Sequence, residues 1–176
     1  AHEDHIGALP YLMAHLEAPI YGSAFTLGLV DHKLREVRLQ KKAELREVHD
    51  GDRMMVGPFD CEFLPVTHSI PSGHITAFHT DQGVILHSSD FKLDLTPVDG
   101  RRTDLSRIGA LGNDPGIRLL LADSTNADSP GASRSETEVG AVIASVVRGQ
   151  EGRRVVIASF ASHIHRLQQI TDAAVE

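Results

Sequence analysis

Tryptophan is absent from this 176-residue chain, and cysteine occurs once, as Cys61. A lone cysteine excludes an intrachain disulfide and fits a reducing compartment, so a cytoplasmic location is the expectation. No apolar run approaches the roughly 18 residues that a membrane-spanning helix requires, and no secretory leader pattern marks the chain for export. Positive charge is in the minority. Lys and Arg number 17 against 24 Asp and Glu, and the net charge of −7 argues against nucleic-acid binding by bulk charge. A hydrophobic share of 41% and a charged share of 23% are ordinary for a globular protein with one or two cores. Histidine stands out, with eleven copies.

The periodicity is that of an α/β chain. Ile6, Leu9, Leu12, Met13 and Leu16 recur at helical spacing, with Pro10 tolerable near a first turn. "APIYGS" reads as a short strand, and Phe25, Leu27, Val30, Leu34 and Val37 make a second amphipathic helix. Residues 44–70 alternate apolar and polar side chains, cut by Asp50-Gly51 and Gly57-Pro58, which predicts successive strands and turns. "HITAFHT", "DQG" and "VILHSSD" predict a hairpin ending at Asp90. "GIRLLLADS" and "RRVVIASF" are continuous apolar runs, expected as strands buried on both faces. Ser135 and Glu138 form a capping box for a helix running to Arg148 and stopping at Gly149, and a last helix starts near "SHIHR". The small, polar loop "NADSPGASR" is the candidate domain boundary.

Within this frame, ligand-type side chains fall just beyond predicted strands or in loops: His2, Asp4 and His5 in "HEDH", His68 in "VTHS", and Asp90 in "HSSD". Strand ends can converge on one rigid cleft, and imidazole with carboxylate suits a divalent ion such as zinc. Three donors within four residues must diverge, which is awkward around one ion and natural around two. A carboxylate at Asp90 could bridge such a pair, and two ions about 3.5–4 Å apart could clamp the oxygens of a displacement at phosphorus. Each piece alone has a plainer reading. "HEDH" could be an acid-rich, solvated helix start, and His15, His32, His49 and His79 are read as ordinary surface histidines.

The joint pattern resembles a known family. "AHEDHIGALPYL" is similar to the tail of the metallo-β-lactamase signature H-x-H-x-D-H, entered at its second histidine. "FLPVTHSIP" resembles the next signature histidine and "ILHSSDFKLD" the bridging aspartate motif. "LLLADSTNAD" is similar to the first motif of the β-CASP nuclease branch, and "SFASHIHRLQQI" resembles a segment of the β-CASP domain in ribonucleases of the J type. Three departures are visible: Ser72 where aspartate is frequent, Ser89 where glycine usually precedes the bridging acid, and His163 where asparagine is common. Serine adopts a glycine-type backbone less readily, so strain is expected at Ser89.

The resemblance implies part of a metallo-β-lactamase αββα sandwich over residues 1–128, followed by the start of a β-CASP α/β domain over residues 129–176. It implies a fragment, lacking a first histidine before Ala1 and further histidines downstream, and inert on its own. It implies hydrolysis of RNA phosphodiesters, endonucleolytic and 5′-to-3′ exonucleolytic, as in ribosomal RNA processing and messenger RNA decay, by a homo-oligomer without membrane attachment. Two Zn2+ ions are implied, with Mn2+ as substitute: His2 and His68 on one, Asp4 and His5 on the other, Asp90 bridging. Asp4 and Asp123 would be catalytic acids, Asp123 orienting a histidine not in this chain. RNA contacts are harder to place. Six basic residues from Lys33 to Arg46 read as a solvated helix face, while Ser162 and Arg166, at a helix N-terminus, are weak RNA-binding candidates. The rival readings are a small-molecule hydrolase of the same superfamily and a non-catalytic RNA-binding scaffold.

Overall fold

The computed structural model describes residues 1–175. Its first part is α1 (Glu3–Ile6), α2 (Leu9–Met13), β1 (Ala18–Gly22), α3 (Ala24–Glu36) and β2 (Ala43–Glu47). Ser23 caps α3, its Oγ accepting the Thr26 N–H at 3.4 Å. Leu27, Val30 and Leu34, spaced one and two turns apart, are the buried stripe of α3. Val30 and Leu34 close a core with Ile6, Met13, Ile20 and Leu45 over the parallel pair β1–β2. The expected apolar face does not extend to Leu12, Leu16 and Val37, which are exposed. The chain breaks between α1 and α2, so the helical phase restarts at Ala8, and Val37 already lies beyond the end of α3.

A second sheet follows, in the order β3 (Arg53–Val56), β4 (Phe59–Val66), β5 (Gly73–Thr80), β6 (Gly83–His87), β7 (Ile117–Leu121). The first four strands pair antiparallel; β7 joins β6 in parallel after a crossover through α4 (Leu105–Asn113). Alternation along β4 sets the layers. Cys61 and Phe63 point one way, packing with Val48, Tyr21 of β1 and Phe78. Leu64 and Val66 point the other way, packing with Ile75, Ala77, Val84, Leu86 and, from α4, Leu111 and Ile108. The result is an α/β fold with a parallel strand pair and a mixed five-stranded sheet, α3 packing on the first and α4 on the second. Cys61 is a buried strand residue whose thiol pKa is pushed up by burial. At the β5–β6 turn, Gly83 has φ +113° and lies so close to Gly116 that a Cβ would come within 2.9 Å of its carbonyl oxygen.

On the α4 side, Glu62 is buried among charges rather than hydrocarbons. Arg107 Nε and Nη2 donate to it at 2.7 and 3.0 Å, and His79 Nε2 lies 2.7 Å away. His79 is therefore a half-buried network member, not the surface histidine expected from sequence. Its place on β5, across from Asp60 of β4, turns it toward this acid. The Arg107 hydrogen bonds hold the Glu62 carboxyl below its ordinary range, against the opposing effect of burial. A depressed folded-state pKa contributes stability that is complete above the unfolded value of roughly 4.3 and fades as pH falls through the folded one. Thermal unfolding followed from pH 7 to pH 3 should therefore show a loss of stability below about pH 4.5. Glu62→Gln should flatten part of that acid limb while lowering the unfolding temperature at pH 7; an unchanged acid limb would contradict the assignment.

Two expected strands differ from the sequence reading. β7 forms, but Leu119, Leu120 and Leu121 are 47%, 56% and 47% exposed, because β7 is the sheet edge and little covers its faces. Residues 153–160 form no strand at all, and Val156 and Phe160 are among the most exposed apolar side chains. A strand is not a local structure: it needs an edge to pair with, and this segment links α5 (Glu136–Arg148) to α6 (Ile164–Val175), two helices packed on each other. Ser135 does cap α5, though its Oγ accepts from Thr137 N–H at 3.2 Å. The basic stretch also departs from a helix face. α3 ends at Glu36, and Lys33, Arg35, Lys42 and Arg46 each meet an acid: Glu3, Asp31, Glu17 and Glu44.

Candidate metal centre

β4, β6 and β7 all run in the same direction, since β5 is antiparallel to both of its neighbours and β7 parallel to β6. Their C-terminal ends therefore share one edge, where open α/β sheets gather reactive groups. His68 follows β4, Asp90 follows β6 and Asp123 follows β7. The opening "HEDH" is not a loop but a one-turn helix, with His2 as its N-cap residue and His5 in its last turn. That turn places His2 and His5 against the same edge.

The side chains converge on one atom. Asp90 Oδ2 lies 3.1 Å from His5 Nε2, 3.6 Å from His68 Nε2 and 3.7 Å from His2 Nδ1. Asp4 Oδ2 is 3.6 Å from His5 Nε2. The imidazoles of His2 and His68 have centroids 5.0 Å apart. Donors around a tetrahedral ion with bonds of roughly 2.1 Å lie about 3.4 Å from one another, and His2, His68 and Asp90 offer ligand atoms all within 4.8 Å of one another. The donor set and its spacing fit a divalent ion. The two halves differ in shelter: His2 and His68 side chains are 20% and 27% exposed, His5 and Asp4 41% and 78%.

Supporting contacts orient these groups. His2 Nε2 meets Ser69 Oγ at 2.7 Å, which leaves Nδ1 facing Asp90. Burial lowers the His68 pKa, favouring the neutral imidazole that an ion requires. Asp123 donates its backbone N–H to Ser88 Oγ at 3.0 Å and accepts the Thr125 N–H on Oδ1 at 2.8 Å. The Thr125 N–H holds its carboxyl below the ordinary range. Ser162 lines the cleft beside His68 and Ser69. Arg166 is engaged elsewhere: its Nη2 bonds Glu136 Oε2 at 2.6 Å. The residue capping α6 is His163, whose Nδ1 accepts the Arg166 N–H at 3.3 Å. Sequence reasoning missed Ser69 and Glu136. Ser69 was open to discovery as the neighbour of His68 in "VTHS"; Glu136 looked like one more first-turn acid, and its burial appears only with Lys92 at 2.8 Å.

Ser89 has φ +56°, the left-handed region that favours glycine, and its carbonyl accepts the Ser88 hydroxyl at 2.6 Å. A non-glycine residue pays roughly 1–2 kcal/mol there, partly offset by the extra freedom glycine has when unfolded. Ser89→Gly should therefore stabilise the chain by up to about 1 kcal/mol, a rise of roughly 2–4 °C in Tm. A fall in Tm by calorimetry would show that serine side-chain contacts outweigh the backbone effect.

No protein-family profile matches the chain. Among curated proteins it is 49% identical over 176 residues to the Ribonuclease J of Mycolicibacterium smegmatis, covering 99% of this chain and 31% of that protein. It is 48% identical over 175 residues to the Ribonuclease J of Mycobacterium tuberculosis and 42% identical over 180 residues to that of Thermus thermophilus, again covering 31% of each. The chain spans about a third of the length of these relatives. A solved structure of a protein of unknown function from Enterococcus faecalis V583 superposes with a TM-score of 0.64 at 14% identity, covering 88% of this chain and 39% of that one; the likeness concerns the fold.

Proposed function

This chain is homologous, along nearly its whole length, to a segment making up about a third of the length of the ribonuclease J proteins it matches, and from that premise we propose that it carries the ion-holding part of a metal-dependent ribonuclease that hydrolyses RNA phosphodiester bonds. The observation that supports this reading best is the meeting of three imidazole nitrogens at Asp90 Oδ2, at the edge where β4, β6 and β7 end. His2 and His68 would hold one Zn2+ and Asp4 and His5 a second, with Asp90 between them and Mn2+ as a substitute. Such ions, when bound, supply Lewis acidity that favours deprotonation of a water and offsets negative charge at phosphorus.

The chain's own residues do the positioning. Ser69 fixes the His2 ring, α1 sets His5 and Asp4 one residue apart beside it, and burial lowers the His68 pKa. Asp123, anchored through Ser88 and Thr125, would orient a histidine that is not in this chain. In this reading residues 1–128 belong to a metallo-β-lactamase sandwich and residues 129–176 to the start of a β-CASP domain. The whole protein acts in the cytoplasm as a homo-oligomer, cutting RNA internally and from its 5′ end. Among the described residues no helix is long and apolar enough to cross a membrane.

The test is a chimera in which this chain replaces the homologous segment of the Mycolicibacterium smegmatis ribonuclease J. With zinc or manganese it should cleave 5′-monophosphorylated RNA at a rate within about tenfold of the parent, with termini read by sequencing. A chimera that folds and retains metal but leaves RNA intact would refute the reading.

A further inference from the structure

The loop that carries His68 and Ser69 spans residues 67–72, between Val66 at the end of β4 and Gly73 at the start of β5, which pair across the ladder. It has no helix or strand of its own, and Ser72 completes the return at φ +56°. The neck of this loop is held by one side chain from outside the sheet. Arg101, 35 positions beyond Val66, donates Nη1–H to the Val66 carbonyl at 3.0 Å and Nη2–H to the Gly73 carbonyl at 2.7 Å. Asp50, in the turn between β2 and β3, fixes the same guanidinium from behind: Nε–H donates to its Oδ2 at 2.8 Å, and Nη2 also meets its Oδ1. The Arg101 side chain is 17% exposed, so its charge is sheltered and spent on the protein.

The main chain repeats the grip. Thr67, directly before His68, donates its N–H to Thr103 Oγ1 at 3.0 Å and its hydroxyl to the Arg101 carbonyl at 3.2 Å. Its own carbonyl accepts the Lys92 N–H at 2.8 Å, two residues past Asp90. The Arg101 segment thus holds the His68 loop at both ends, and that loop is tied in turn to the stretch that carries Asp90. Arginine suits such a task because its planar fork presents donors at fixed angles, to two carbonyls and a carboxylate at once. Lysine concentrates its donors on one atom at the end of a flexible stem.

We infer that Arg101 is a positioning residue for the histidine cluster: it fixes the neck of the 67–72 loop and thereby sets where His68 Nε2 stands against Asp90 Oδ2, 3.6 Å away. This deepens the ribonuclease reading and rests on His68 holding an ion.

The test uses Co2+ as the probe, since the visible absorption of the bound ion reports both its affinity and the arrangement of its donors. In the 176-residue chain, Arg101→Lys keeps the charge but should bind Co2+ roughly 10- to 100-fold more weakly than the parent, with an altered spectrum. In the chimera the same change should lower kcat by a similar factor while KM for 5′-monophosphorylated RNA stays within about threefold, because Arg101 is not among the side chains lining the cleft. Glu62→Gln is the control for lost stability, since Glu62 bonds Arg107 and His79 instead. It should lower the unfolding temperature yet leave Co2+ affinity within about twofold. Asp50→Asn, which loosens the anchor on the guanidinium but leaves both carbonyl contacts, should fall between parent and Arg101→Lys, and it decides the matter if Arg101→Lys does not fold. Unchanged Co2+ affinity and spectrum in the deciding variant, or a loss no larger than that of Glu62→Gln, would overturn the inference. Either result, with a parent that binds Co2+ and a chimera that cleaves RNA, removes the positioning role and leaves the ribonuclease reading standing. A parent chain that binds no Co2+ removes both.

Discussion

Asp90→Ala in the chimera should lower RNA cleavage by on the order of 10³-fold or more, and should cut the zinc retained by the chain. The side chain is the one group that all three imidazoles approach, at 3.1 to 3.7 Å. In the proposed two-ion arrangement, removing it would separate the donors of the two halves and leave adjacent cations without a shared negative charge. Metal ions supply several kcal/mol of transition-state stabilisation, and each 1.4 kcal/mol is tenfold in rate, so three decades is a conservative expectation. The matched control is His32→Ala, whose side chain is 74% exposed on α3 and meets Glu36; it should stay within twofold. His79→Ala, which its sequence position would suggest as a control, is unsuitable because His79 bonds Glu62. Equal losses for Asp90→Ala and His32→Ala, with unfolding temperatures unchanged, would mean that the wrong residues carry the reaction.

The 176-residue chain alone should cleave at least about 100-fold more slowly than the chimera, although it retains zinc. The resemblance implies seven donors for the ion pair, and five are in this chain. The half made by Asp4 and His5 is the more open, with the Asp4 side chain 78% exposed, so placement there has least support. Errors of about 1 Å in placing reacting groups cost roughly 100-fold. The bare leucines along β7 add a practical consequence, since an uncovered strand edge invites association. Light scattering should show the chain aggregating more readily than the chimera. Turnover by the chain equal to that of the chimera would show the two further donors to be dispensable and the two-ion assignment mistaken.

The helices and the antiparallel strands could be read from the sequence because their signals are local. Ser23 caps α3 ahead of Leu27, Val30 and Leu34, and Asp81-Gln82-Gly83 turns β5 into β6. The side chains that meet at Asp90 could also be singled out, because imidazole and carboxylate crowd in "HEDH", "VTHS" and "HSSD"; what could not be read was their geometry. "HEDH" as helix rather than loop depends on Ile6 finding the α3 core. The failures at 153–160 and on β7 have one cause: a hydrophobic run reports that burial is needed, not where a covering partner lies. Glu136 failed differently, since a first-turn acid is ordinarily solvated and only the fold reveals Lys92 and Arg166 closing over it.

Ser69 carries a quieter consequence. Its hydroxyl steadies His2 while its carbonyl receives the first N–H of α6, so one residue is read by both the cluster and the helical pair. The loop that holds the His2 ring is therefore also the loop on which the first residue of α6 rests, and a change that frees the Ile164 N–H also releases a restraint on the Ser69 backbone.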